Sequence, residues 1–152
     1  FIPSGEEKET DFFSKFAFKF AKEYPEYEIL IRFHPIINRD KFVKKFSKIN
    51  NFKISKSNIE LDSSESRYVI YSTSTAVFES IKLGCIPIRL NWNSINDLSD
   101  PLWQLQSNLV EKVDSKYELY KTICKDKYID ENEIALNEKF MKLNQNLDKL
   151  RI

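Results

Sequence analysis

The sequence is poor in glycine, histidine and cysteine, and each scarcity closes off a class of chemistry. With only Gly5 and Gly84 present, neither GxGxxG nor GxxxxGK[ST] can be written, so the common glycine-lined phosphate loops are excluded. Cys85 and Cys124 stand far apart with no CxxC and no Cys/His cluster. That excludes a disulfide framework and a structural zinc site, and reduced thiols in a cytosolic protein are the expectation. No Asp-x-Asp occurs and His34 is the lone histidine, so no metal and no other cofactor are expected. No apolar run approaches the ~20 residues of a membrane span, and the opening residues do not read as a signal peptide. Lys+Arg total 24 against 23 Asp+Glu, a balance that argues against a general electrostatic grip on nucleic acid or anionic lipid.

What is present is enough apolar material for a core. The chain has 152 residues, 41% of them hydrophobic, which fits one folded domain over residues 1–152. It opens on Phe1-Ile2-Pro3-Ser4-Gly5, which reads as the tail of an apolar strand entering a turn, so a domain cut from a longer protein is expected. Ser4 and Glu7 have capping-box spacing ahead of an apolar stripe, Phe13, Phe16, Ala17, Phe20, Ala21 and Tyr24, which predicts an amphipathic helix ended by Pro25. A short buried strand is predicted from Glu28 to Phe33, stopping at His34-Pro35, and a helix from Asn38 to Ile49. Phe52-Lys53-Ile54 and Ile59-Glu60-Leu61 are two candidates for a weak strand.

From Tyr68 to Leu90 the pattern is clearest. A strand over Tyr68–Tyr71 meets the run Ser72-Thr73-Ser74-Thr75, and a helix carrying Val77, Phe78 and Ile81 follows. Gly84 stands where a left-handed C-cap belongs, and Ile86 to Leu90 returns as a strand with Pro87 near its start. An irregular polar stretch with Trp92 and Trp103 leads to a last strand over Leu109 to Val113 and a second capping box, Ser115 with Glu118. Leu136, Phe140, Leu143, Leu147 and Leu150 predict a long final helix with one apolar seam. Short apolar strands alternating with helices indicate an α/β domain with a doubly wound, Rossmann-like parallel sheet covered on both faces.

In such sheets ligands bind beyond the carboxyl ends of the strands. The residues there are Ser4-Gly5, His34-Pro35, Ser72 to Thr75 and Asn91. A helix N-terminus offers unpaired N–H groups to an anion, and Ser and Thr add hydroxyl donors without bulk. One Ser or Thr suffices to cap a helix, so four in a row weigh towards a phosphate site. His34 is either a structural residue or a phosphate donor from a neighbouring strand end. Glu79, and less so Glu60, could reach a ribose hydroxyl, against the plainer reading of surface glutamates. Trp92 and Trp103 are read as packing before stacking.

Arg32-Phe33-His34-Pro35 followed by Tyr71-Ser72-Thr73-Ser74-Thr75-Ala76-Val77-Phe78-Glu79-Ser80-Ile81-Lys82-Leu83-Gly84-Cys85-Ile86-Pro87-Ile88 resembles the C-terminal, donor-binding half of GT-B-type bacterial glycosyltransferases. It is most similar to sialyltransferases, polysialyltransferases and capsule enzymes that use CMP-activated sugars; similar blocks occur in glycerophosphotransferases of teichoic-acid synthesis. The resemblance implies one half of a GT-B architecture, in a metal-independent glycosyltransferase of surface polysaccharide or lipooligosaccharide synthesis. It assigns the donor phosphate to His34 and to some of Ser72, Thr73 and Ser74, with a ribose role for Glu79; the positions of the remaining candidates add Thr75 to the phosphate set and Glu60, Ser4 and Gly5 to the ribose or base set. The implied partners are a nucleotide-sugar donor and a glycan or lipid-linked acceptor, the latter through an N-terminal half not matched here, which also supplies the general base. No nucleic acid partner is implied. The implied location is cytoplasmic, with peripheral association at the inner face of the plasma membrane left open. Two other readings stand beside it: a domain like those of sugar-nucleotide 2-epimerases, and a non-catalytic α/β nucleotide-binding module.

Overall fold

A computed structural model describes residues 1–46, 49–92, 99–103 and 110–125. The order is α1 (Glu7–Glu23), β1 (Ile29–Ile31), α2 (Arg39–Val43), β2 (Phe52–Ile54), α3 (Ile59–Ser64), β3 (Tyr68–Tyr71), α4 (Val77–Lys82), β4 (Ile86–Leu90), β5 (Glu111–Val113) and α5 (Lys116–Lys125). The protein is α/β, with a two-stranded sheet β1-β2 and a three-stranded sheet β3-β4-β5. All three strand pairings are parallel, with Ile29 opposite Phe52, Tyr68 opposite Ile86 and Ile88 opposite Glu111.

Phe1 and Ile2 lie between the two sheets. The Phe1 nitrogen donates to the Leu30 carbonyl at 2.7 Å, and Arg32 N donates to the Phe1 carbonyl at 2.9 Å, the alternation of a parallel bridge. On the other side Ile2 N donates to the Ile70 carbonyl at 2.9 Å. The opening pair therefore uses its backbone groups on both edges, as an interior strand does.

Two cores follow from the pleat of β3, whose successive side chains point to opposite faces. Ile70 joins Phe13, Ala17, Phe20 and Ala21 of α1, together with Ile31, Ile88, Leu90 and Leu119 and Ile123 of α5. Val69 and Tyr71 join Ile2 with Val77 and Ile81 of α4. The predicted stripe of α1 thus forms the first core: Phe13, Ala17, Phe20 and Ala21 are fully buried. Truncating a phenylalanine in such a place typically costs about 3–5 kcal/mol.

Several boundaries differ from expectation, each for a local reason. Ile59-Glu60-Leu61 is no strand but the first half of α3, because Asn58 accepts from Leu61 N at 2.9 Å and caps a helix. The helix expected from Asn38 to Ile49 is α2, only five residues long behind an Asn38 cap, with Phe42 its one buried residue. The strand expected from Glu28 to Phe33 narrows to Ile29–Ile31. Ser4 and Glu7 do not form a capping box: α1 starts behind Glu6 with no side-chain cap. Ser115 does cap α5, with Glu118 N donating to Ser115 Oγ at 3.2 Å, while the Glu118 carboxylate reaches one residue further back than a capping box and accepts from Asp114 N at 2.7 Å. Gly84 has φ +98°, the left-handed conformation in which glycine carries no Cβ penalty. The final helix over Leu136 to Leu150 and the start of the last strand at Leu109 lie outside the described residues. Among the described residues no helix is long and apolar enough to cross a membrane.

Candidate functional site

The turns that follow Ile2, β1 and β3 meet at the carboxyl-terminal edge of the strands. Two of them are joined by Glu9, in the first turn of α1 and fully buried. Its carboxylate accepts from Ser4 Oγ at 2.5 Å, from Ser4 N at 3.3 Å and from Thr73 Oγ1 at 2.7 Å. A buried carboxylate needs such donors, since desolvation without them costs several kcal/mol. One side chain therefore ties the Ser4-Gly5 turn to the Ser72–Thr75 turn across the gap between the opening segment and β3.

His34 stands on the other side of Gly5. A Cβ placed on Gly5 would lie 3.2 Å from His34 Nδ1 and 3.1 Å from Ile36 Cγ2, so the absence of a side chain at Gly5 is what lets the imidazole rest on this turn. His34 is exposed. Its Nδ1 accepts from Ile36 N at 3.3 Å, which in the neutral ring assigns the proton to Nε2. Nε2 is then the donor available to a ligand.

Helix α4 is not capped by any of the four hydroxyls that precede it; Ala76 occupies the N-cap and no side chain accepts there. Backbone turns start the helix instead, Val77 N donating to the Ser74 carbonyl and Phe78 N to the Thr75 carbonyl. Ser72 is 1% exposed and, among the described residues, its Oγ has no hydrogen-bond partner. Leaving a hydroxyl so costs about 1–3 kcal/mol. Ser74 is buried, Thr73 half-buried and Thr75 exposed. Simple N-capping therefore does not account for the run.

The structure brings together Ser4, Gly5, His34 and Thr73, with Ser72, Ser74 and Thr75 on the same turn as Thr73. Glu60 and Glu79 are exposed in the first turns of α3 and α4, and neither bonds to this cluster. Trp92 is buried and Trp103 half-exposed.

Three groups escaped sequence reasoning. Glu9 has the signal that could have found it: it lies four residues before Phe13, in register with the stripe that continues to Ala17 and Phe20. Arg32 Nη1 donates to Asp62 Oδ2 at 2.9 Å and to the Ser57 carbonyl, while Ser55 Oγ donates to the same Asp62 oxygen at 2.5 Å. This fastens α3 to the ends of β1 and β2. Below Asn91, Tyr71 OH donates to Asp100 Oδ1 at 3.0 Å, and Arg89 Nε lies 3.5 Å from Asp100 Oδ2, all three residues buried. Burial, and then the Asp100 charge, push the Tyr71 phenol well above its ordinary value.

A cavity of about 280 Å³ opens at the opposite edge, beside Tyr27, Ile29, Tyr68, Leu119 and Ile123. Its wall is mostly apolar, and the converging hydroxyls, imidazole and carboxylate are elsewhere, so the carboxyl-terminal edge is the candidate site. Among the described residues no cluster of His, Cys, Asp or Glu could hold a metal ion. No family model matches the chain, and neither a curated protein nor a solved structure matches it.

Proposed function

We propose that this domain binds the nucleotide of a sugar-nucleotide donor, as the donor half of a metal-independent glycosyltransferase of the GT-B type acting in surface-glycan synthesis. Counting Phe1–Ile2 as a strand gives the order β2, β1, residues 1–2, β3, β4, β5, a doubly wound Rossmann-like sheet. The order reverses between residues 1–2 and β3, and ligands of such sheets bind at that switch point. The observation that carries the reading is Ser72: a buried hydroxyl with no partner among the described residues, in a four-hydroxyl turn that does not cap α4. A phosphate oxygen would give that hydroxyl its missing acceptor.

In this reading Ser72, Ser74 and Thr75 donate to the donor phosphate, with His34 Nε2–H donating from across Gly5. Fixed neutral donors aimed at a phosphate leaving group stabilise the negative charge it gains as the glycosidic C–O bond breaks. The acceptor site and the base that deprotonates the acceptor hydroxyl are assigned to a second domain.

Calorimetric titration with CMP, UDP, GDP and CDP tests this. Binding of at least one nucleotide is expected, weakened about tenfold or more by Ser72→Ala/Ser74→Ala and by His34→Ala, since each removes a hydrogen bond to a charged group. A folded domain that binds none of the four would overturn the reading. Binding unchanged by those substitutions would overturn the site.

A further inference from the structure

Resting on the nucleotide reading, we infer that Glu9 is a positioning residue that turns Ser4 and Thr73 into hydrogen-bond acceptors for a ribose hydroxyl, so that neither donates to phosphate. A hydroxyl has one proton and two lone pairs. Ser4 Oγ and Thr73 Oγ1 both donate that proton to the same Glu9 oxygen, at 2.5 and 2.7 Å. An ionised carboxylate only accepts, so neither hydroxyl can turn its proton elsewhere without leaving a buried charge short of a donor. Ser4 and Thr73 are themselves half-buried; Ser4 Oγ already accepts from Glu6 N at 3.2 Å, and the lone pairs that remain on the two hydroxyls can receive O–H but not P–O⁻.

The two sides of the cluster therefore have opposite polarity. Residue 72 has its proton free, and His34 has a donor at Nε2 because Nδ1 is occupied by Ile36 N. Thr73, one residue away, has its proton committed. The buried Glu9 charge also disfavours an anion directly over Thr73 and Ser4. A phosphate on the donor side, with its attached ribose on the acceptor side, meets both demands. Thr73 accordingly moves from phosphate recognition to ribose recognition.

Glu9→Gln reverses the polarity at nearly constant shape. The amide oxygen can still accept from Ser4 N, while its two N–H groups can donate to Ser4 Oγ and Thr73 Oγ1, freeing both hydroxyl protons. The experiment titrates wild type, Glu9→Gln and Thr73→Val with inorganic phosphate, and with CMP, UDP, GDP and CDP beside the 2′-deoxy and 3′-deoxy counterpart of each. Wild type should prefer the ribonucleotide over one deoxy counterpart by about three- to tenfold, the worth of one hydrogen bond. Both variants should lose that preference, and Glu9→Gln alone should also bind inorganic phosphate more tightly. Nucleotide binding with an unchanged ribo-to-deoxy ratio in Glu9→Gln would overturn the inference and leave the nucleotide reading standing. Failure of wild type to bind any nucleotide would overturn the nucleotide reading itself. Because the readout is a ratio, a general loss of stability in either variant does not mimic the expected result.

Discussion

Ser4-Gly5-Glu6-Glu7 and Ser115-Lys116-Tyr117-Glu118 carry the same S-x-x-E signature ahead of a helix, and they do different things. At α5 the signature caps: Ser115 Oγ accepts from Glu118 N, and the Glu118 carboxylate reaches back to Asp114 N. At α1 it is overridden. Ser4 Oγ donates to Glu9 rather than serving Glu7 N, Glu7 pairs with Lys41 on the surface, and the helix begins with no side-chain cap. The difference lies in what each serine faces. Ser115 borders solvent at the edge of the domain, where local hydrogen bonds are the best available. Ser4 sits where three strand ends meet and a buried carboxylate needs donors, and a charge-assisted bond outweighs a neutral cap. A local motif yields when the tertiary setting offers its side chain a stronger partner.

The contrast can be broken by substitution. The largest effect is expected for Glu9→Ala, about 3 kcal/mol of lost stability in urea denaturation, because Ser4 N, Ser4 Oγ and Thr73 Oγ1 all lose their acceptor at a buried site. Ser4→Ala should cost about 2 kcal/mol, the range of a hydrogen bond to a charged group, against about 1 kcal/mol for Ser115→Ala at an ordinary cap. Equal costs at the two serines would erase the distinction. Ser72→Ala should run the other way and stabilise the ligand-free domain by up to about 1 kcal/mol, since it removes a buried hydroxyl with no partner among the described residues. A melting temperature that rises while nucleotide affinity falls would mark that hydroxyl as kept for a ligand. Glu7→Ala should change stability by less than about 0.5 kcal/mol, as its exposed pair with Lys41 is weak; a loss comparable to that of Ser4→Ala would restore the capping box as the relevant device.

Residues 68–90 were legible because each local signal agreed with the fold: β-branched and aromatic residues in β3, Val77 and Ile81 on one face of α4, and Gly84 at a positive φ. The stripe of α1 was legible for the same reason. Ile59-Glu60-Leu61 was not, because three residues cannot show a period and the deciding group, the Asn58 side chain, lies before them. Nor was the commitment of Thr73: its partner is 64 positions away, and nothing local indicates where a hydroxyl proton goes. The Arg89–Asp100–Tyr71 cluster escaped because its members sit on separate elements and each looks ordinary alone. The Ser, Thr and His positions of the candidate site could thus be read from the sequence, whereas Glu9 and the division it imposes between proton donors and proton acceptors could not.

Backbone amide chemical-shift mapping during a CMP titration locates the nucleotide on the domain. The largest shifts are expected at Gly5, His34 and residues 72–77, on the carboxyl-terminal edge, with saturation that Ser72→Ala/Ser74→Ala weakens. Saturable shifts confined to Tyr27, Tyr68 and Leu119, around the cavity at the opposite edge, would contradict that placement.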